Sequence, residues 1–335
     1  MFACASLIRE IGRGKEGARS LTAEQAEALY AAMLAGEVSD LELGAVLIAL
    51  RVKGESAQEL VGFCRAAQSL LPRIDTPEPM SGPSKPTLVF PSYNGARRRP
   101  NLLPLLAGVL ARLGYPVLIH GHLEDPTGRI TTAQVFEHLR WPQFGGELLR
   151  GEVSERLAKA LADAHNQRWP LFVPTQHLHP GLVSLLDRRR VLGVRNATHT
   201  IVKLLRPVSG PSLLVTSYTH PEFFHLQREV LGALNVSALV IRGHEGEAVA
   251  HPQKAPRMDG VLNGQTWCVD EGDPTFVDLP ERNPDRDAQH TAEQTLEWLV
   301  RMDREGVLAL PPGLQRQIEA IDLVALQMQT PPQAG

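Results

Sequence analysis

Cysteine is nearly absent: Cys4, Cys64 and Cys268 are the three in a chain of 335 residues. An odd number at such remote spacings is neither a disulfide framework nor a zinc ligand set. It points to a reducing, cytoplasmic setting. Long apolar runs are missing too, none approaching the roughly 18 residues of a membrane span, so no membrane partner is expected. The first ten residues hold a short apolar patch without a preceding basic region, which argues against a signal peptide. There is no serine-hydrolase elbow and no dinucleotide fingerprint. No helix-turn-helix, RNA-recognition motif or zinc finger is visible, so sequence-specific readout of a nucleic acid is not supported. Internal repeats and low-complexity tracts are also lacking.

What is present is an ordinary globular composition, 43% apolar and 21% charged, in a chain long enough for two domains. The formal net charge is −3, but the charges are sorted along the chain. Residues 91–210 carry 16 Lys/Arg against 8 Asp/Glu, a local +8, and residues 241–335 carry 8 against 16, a local −8. Gathered on one face, the basic middle would attract phosphates. Scattered over solvated helices, it would have no such effect.

The first 71 residues read as consecutive helices. Thr22 with Gln25, Ser39 with Glu42, and Ser56 with Glu59 have capping-box spacing, in which two side chains reciprocally satisfy free backbone N–H groups. Apolar residues recur at helical spacing behind each cap, as in Leu29, Tyr30 and Met33. A helical domain over 1–75 follows, then a linker over 76–86 where Pro77, Pro79, Pro83 and Pro86 forbid a helix. From 87 to 335 the pattern changes. Apolar, β-rich runs at 87–90, 117–119, 171–173, 213–216 and 238–241 alternate with amphipathic stretches around 101–113, 131–140, 153–166, 180–191 and 221–234. Runs at 266–269 and 276–279 suggest late strands, and helices near 289–305 and 313–326 close the domain. The predicted class is α/β: a small all-helical domain plus a larger, mostly parallel sheet with helices on both faces.

Ligands of such sheets sit where loops gather at the carboxyl ends of the strands. The predicted loops run from Pro91 through Tyr93, Asn94, Gly95 and the triplet Arg97, Arg98 and Arg99 to Asn101. Others hold His120, Gly121 and His122, then His177 and His179, then Arg242 through Glu247. Arginine, histidine and glycine cluster with few carboxylates, which outlines an anion site.

These loops, behind this helical domain, resemble the anthranilate phosphoribosyltransferase family (glycosyltransferase family 3) over nearly the whole chain. The likeness is strongest from Leu21 to Gln68, especially Met33 to Asp40 and Ala45 to Glu55. Ile119, His120 and Gly121 stand where the family has Lys-His-Gly-Asn-Arg. His179-Pro180 and Arg189 through Thr198 match its HP…RxxLGxRT stretch, with Arg189 at the arginine that contacts the substrate carboxylate. The resemblance implies a phosphoribosyltransferase-like fold and a homodimer. Departures bear on activity. Where the family's Gly-Thr-Gly-Gly-Asp loop offers backbone N–H groups to a diphosphate, this chain has one glycine, Gly95, and no acid. His122 and Leu123 replace Asn-Arg. Glu245 and Glu247, separated by Gly246, stand in place of an adjacent Asp-Glu pair that holds magnesium, so they are weak metal candidates. Together these changes resemble the YbiB-type paralogues of the family, which implies nucleic-acid binding without phosphoribosyl chemistry.

Two readings follow. In the first, the chain binds DNA or RNA without sequence specificity, using Arg97–Arg99, Arg188, Arg189, Arg190, Arg195, Lys203 and Arg206 as a phosphate track. Tyr93 would stack on an unpaired base. No cofactor is needed, no residue is catalytic, and Tyr93, Asn94, Gly95, His120, Gly121, His177 and His179 form a vestigial ligand site. The plainer alternative for each triplet is a solvated helix end. In the second, the chain is a glycosyl or phosphoribosyl transferase with altered substrates, its histidines and Arg189 binding anions and Glu245 and Glu247 holding magnesium. Dimerisation would use Leu41, Ala45, Ile48 and Val52, unless that stripe belongs to the core.

Overall fold

The structure is a computed structural model that describes residues 2–14, 16–79, 83–146, 152–273 and 287–329. Four helices open the chain: α1 (Ala5–Ile11), α2 (Ala23–Leu34), α3 (Asp40–Lys53) and α4 (Ala57–Leu70). The capping boxes at Thr22 and Ser56 form in full. At Ser39 the hydroxyl accepts the Glu42 N–H, but the Glu42 carboxylate takes the Ser39 hydroxyl rather than its backbone N–H. That is half a box.

The remaining elements alternate as expected. In order they are β1 (Thr87–Ser92), α5 (Leu103–Arg112), β2 (Val117–Gly121), α6 (Thr132–Leu139), α7 (Val153–Asn166) and β3 (Leu171–Pro174). Then come α8 (Thr175–Leu178), α9 (Pro180–Leu192), α10 (Thr198–Ile201), β4 (Ser212–Tyr218), α11 (Glu222–Ala233) and β5 (Ala238–Arg242). β6 (Met258–Leu262), β7 (Gln265–Asp270), α12 (Ala288–Glu305) and α13 (Pro312–Gln329) end the chain. Among the described residues the strands form one sheet in the order β3-β2-β1-β4-β5-β6-β7. The first five are parallel, and β6 and β7 are antiparallel additions. β6 was not foreseen, because Asp259 and Gly260 interrupt its apolar run. The predicted strand at 276–279 lies outside the described residues.

Period-two alternation divides the core. Val89, Leu118, Val173, Leu214 and Val240 face the N-terminal helices, α7, α9 and α11 in one cluster. Phe90, Ile119, Phe172, Val215 and Ile241 face α5, α6, α12 and α13 in the other. Both faces of the parallel strands are covered, which is why they read as near-continuous apolar runs. The helical segment therefore shares a core with the sheet. The Tyr30 hydroxyl, buried, donates to Thr198 Oγ1 across that contact at 3.1 Å, and Gln68 exchanges two hydrogen bonds with the Arg206 backbone. The order of strands reverses between β1 and β4, so their following loops diverge and leave a crevice at the carboxyl edge. Among the described residues no helix is long and apolar enough to cross a membrane.

Candidate functional site

Several residues expected in loops stand in regular structure. His120 and Gly121 end β2, with Pro91 opposite His120 and Ser92 opposite Gly121 in register. A Cβ on Gly121 would lie 1.9 Å from the Ser92 carbonyl oxygen, so only glycine permits this approach of β1 to β2. His120 is fully buried. Its Nδ1 pairs with the Tyr93 hydroxyl at 2.9 Å and its Nε2 with the Leu205 carbonyl at 3.3 Å. Burial pushes its pKa down to about 4, so it stays neutral near pH 7, a hydrogen-bonded core residue. Thr175 completes the network, donating to the Gly121 carbonyl at 2.8 Å and lying 3.3 Å from the Tyr93 hydroxyl. Tyr93 is 5% exposed and its ring meets His122 edge-on, which leaves little of it for stacking on a base.

The loop after β1 is held by the segment after β5. The backbone N–H groups of Asn94 and Gly95 donate to Glu247 Oε1 at 2.9 and 2.6 Å. Those of Arg97 and Arg98 donate to Glu245 Oε2 at 2.7 and 2.9 Å. Glu245 and Gly246 both adopt positive φ, 54° and 86°, and this tight turn aims the two carboxylates at the same loop. The Gly246 carbonyl accepts from Asn94 Nδ2, from Ser217 Oγ at 2.9 Å and from Lys203 Nζ at 3.3 Å. Glu247 is 1% exposed and its Oε2 is buried without a partner. Lys203, 9% exposed, is pushed down to about 8 by burial, with Glu247 pulling the other way. Glu245 and Glu247 therefore serve as acceptors for backbone amides. Among the described residues no three His, Cys, Asp or Glu side chains gather as metal ligands.

Beside this loop lies a cationic cleft between the helical segment and the sheet. A cavity of about 300 Å³ is lined by Arg51, Arg195, His199, Lys203, Tyr218 and His220, among others. Arg195 is lowered by burial first and then by Arg189, Arg129 and Arg51. His199 is driven down to about 3 by burial and by Arg195 and Arg189. His122 is lowered chiefly by burial, with Asp125 and Asp187 opposing and Arg189 and Arg195 assisting. Like charges held this close are costly unless an anion joins them. Arg51 and Arg129 were not foreseen. Arg51 reaches the cleft from the helical segment, where only the packing of the two units reveals it.

The expected phosphate track is divided. Arg188, Arg189 and Arg190 stand near the C-terminus of α9. Arg189 does not line the cavity, but its charge bears on Arg195 and His199 within it; Arg188 pairs with Asp40 at 3.0 Å and Arg190 with Asp187 at 3.8 Å. Arg97 and Arg98 are exposed beside the site, whereas Arg99 Nη1 contacts His251 Nε2. Arg206 lies at the opposite end of the sheet, donating to Ser212 Oγ at the start of β4. It does not join the cleft. His179 caps α9, accepting the Gly181 N–H at 3.1 Å, and His177 packs edge-on against Phe144.

Residues 5–70 match the helical bundle domain of the glycosyl transferase family. The chain is 42% identical to the "Uncharacterized protein YbiB" of Escherichia coli (strain K12), over 93% of this chain and 91% of that protein. It is 31% identical to an anthranilate phosphoribosyltransferase of Sorangium cellulosum, over 78% of this chain and 70% of that protein. Two solved structures share the fold. Anthranilate phosphoribosyltransferase from Thermus thermophilus superposes with TM-score 0.64 at 20% identity, covering 96% of each chain. The Saccharomyces cerevisiae enzyme in complex with PRPP and Mg gives 0.71 at 14% identity, covering 97% of this chain and 89% of its own.

Proposed function

We propose, for a chain that belongs to the anthranilate phosphoribosyltransferase family of glycosyltransferases, that it binds nucleic acid without sequence specificity and has given up phosphoribosyl transfer. The observation that carries this reading is the capture of four amides of the first loop by Glu245 and Glu247. A diphosphate seeking those N–H groups would meet two carboxylates already bound there, and their negative charge would repel it. Magnesium does not fit the same place. The four N–H dipoles that favour a carboxylate oxygen disfavour a cation beside it. No cofactor is invoked for binding.

The cleft supplies the affinity. Arg51 and Arg195 line it, the charges of Arg189 and Arg129 bear on Arg195, and exposed Arg97 and Arg98 stand beside it. Guanidinium forks match phosphate oxygens, and each neutralised phosphate releases counterions, giving affinity without base readout. The exposed stripe of α3 supports a homodimer: Leu41 and Val52 are 86% and 76% exposed and Ile48 39%. Pairing two chains there would double the cationic surface presented to one polymer.

Fluorescence anisotropy with labelled single- and double-stranded oligonucleotides across a salt series tests the binding. Affinity should fall with salt, and Arg189→Gln/Arg195→Gln should weaken it about tenfold or more and reduce the salt slope by about two. No binding at low salt removes this reading. Turnover of anthranilate with PRPP by the unaltered chain would put the transferase in its place.

A further inference from the structure

A larger cavity, about 640 Å³, opens beyond the first. That volume is typical of small-molecule sites. The two share Tyr218 as a common wall. The other walls of this larger cavity are Arg242 at the end of β5, Arg99, residues 243–245, 251 and 254–257, and residues 271–273 after β7. None of 251–257 or 271–273 figured in the sequence reading.

Three observations give this cavity a chemistry. Arg242 stands directly beside Tyr218 in the parallel register of β4 and β5, and its guanidinium, exposed, has no ion pair or hydrogen bond among the described residues. The Tyr218 hydroxyl is likewise without a hydrogen bond there, its ring held against Phe224 at 5.1 Å. His244, 6% exposed, keeps Nε2 buried with no partner. Burial, His251 and Arg99 hold its pKa down near 3, so the ring is neutral. Two of the acids around the rim are already engaged: Glu245 accepts the Arg97 and Arg98 amides, and Glu271 accepts Arg257 Nη1 at 2.7 Å. A guanidinium fork and a free hydroxyl from neighbouring strand ends fit the tetrahedral oxygens of one phosphate group.

We propose that this cavity is a second phosphate site, with Arg242 as its anchor and Tyr218 as its hydroxyl donor. It adjoins the cleft through Tyr218, but its anchor Arg242 belongs to it alone, so it does not depend on the nucleic-acid reading. A phosphate of a bound strand or of a free mononucleotide would present the same oxygens.

Isothermal titration calorimetry of the full chain with inorganic phosphate and with adenosine monophosphate examines the free ligands, and oligonucleotide anisotropy examines the strand. Arg242→Gln, Tyr218→Phe and a control, Lys159→Gln on the exposed face of α7, are compared after their melting curves confirm folding. Arg242→Gln should weaken the ligand about tenfold, as loss of a charge-assisted contact does, Tyr218→Phe should weaken it less, and the control should match the unaltered chain. An effect on adenosine monophosphate identifies a free phosphate as a ligand, and an effect on oligonucleotides alone identifies the strand. Phosphate binding that needs Arg242 in a chain that binds no oligonucleotide keeps this site and removes the nucleic-acid reading. If Arg242→Gln and Tyr218→Phe leave every ligand unchanged, the second site is wrong, whatever the cleft does.

Discussion

Replacing Glu247 with alanine deletes the acceptor for two buried amides, those of Asn94 and Gly95. Each is a charge-assisted hydrogen bond, for which loss costs about 1.5–3 kcal/mol. The pair together is thus worth at least about 3 kcal/mol, and the melting temperature should fall by roughly 5 °C in a chain of this size. Glu247→Gln, which keeps one carbonyl oxygen in place, should recover part of that loss. The double variant Glu245→Ala/Glu247→Ala frees all four amides and removes the repelling charge. Pyrophosphate should then stabilise it, by about 2.7 kcal/mol at a hundredfold excess over its dissociation constant, beyond whatever binding at the cleft or the second cavity adds to the unaltered chain. Differential scanning calorimetry with and without pyrophosphate, free of magnesium, reads both effects. The reasoning fails if pyrophosphate stabilises the unaltered chain as much as the double variant, or if Glu247→Ala melts where the parent does.

Two further outcomes follow from the same geometry. Burial lowers Lys203 from 10.5 to about 8, so between those values the unfolded chain holds the proton that the folded chain has released, and stability should rise with pH across that window. The gain is on the order of 3 kcal/mol. Urea unfolding from pH 7 to 10.5 should show the rise, absent in Lys203→Met and shifted to lower pH in Glu247→Gln, which removes the charge that favours the protonated amine. If α3 forms the dimer contact, Leu41→Glu/Val52→Glu should give the mass of one chain by light scattering where the parent gives two. A parent that already runs as a single chain excludes that interface.

Elements were legible where local chemistry decides them. Hydroxyl caps at Thr22 and Ser56 mark helix starts that the structure realises in full, because the partner is only three residues away, although at Ser39 the same spacing closes half the box. The parallel strands were legible because both of their faces are buried. β6 escaped because its Asp259, fully buried, is balanced by Arg257 at 2.9 Å and Arg228 at 3.7 Å, pairings that sequence spacing does not announce. The site was legible only as a set of loops. That Glu245 and Glu247 would meet amides about 150 residues earlier in the chain depends on β1, β4 and β5 lying side by side, and on a turn with two positive φ values.

The charge segregation along the chain was real but misleading about position. Of the triplet Arg188–Arg190, Arg189 is the residue whose charge bears on Arg195 and His199 in the cleft, because successive residues on a helix point about 100° apart and three in a row cannot face one ligand. Their neighbours close ion pairs with Asp40 and Asp187 instead. Arg51, from a helical segment with no charge excess to flag it, faces the same ligand space as Arg195 and Lys203. A cationic site in a parallel α/β fold is therefore assembled one residue per element, from strand ends and from whatever packs over them. Clusters in sequence supply the long-range field, and convergence in space supplies the binding. Single substitutions at Arg51, Arg189 or Arg195 should consequently weaken an anionic ligand more than removal of Arg188 and Arg190 together, and competition for one labelled oligonucleotide among these variants would show which rule holds.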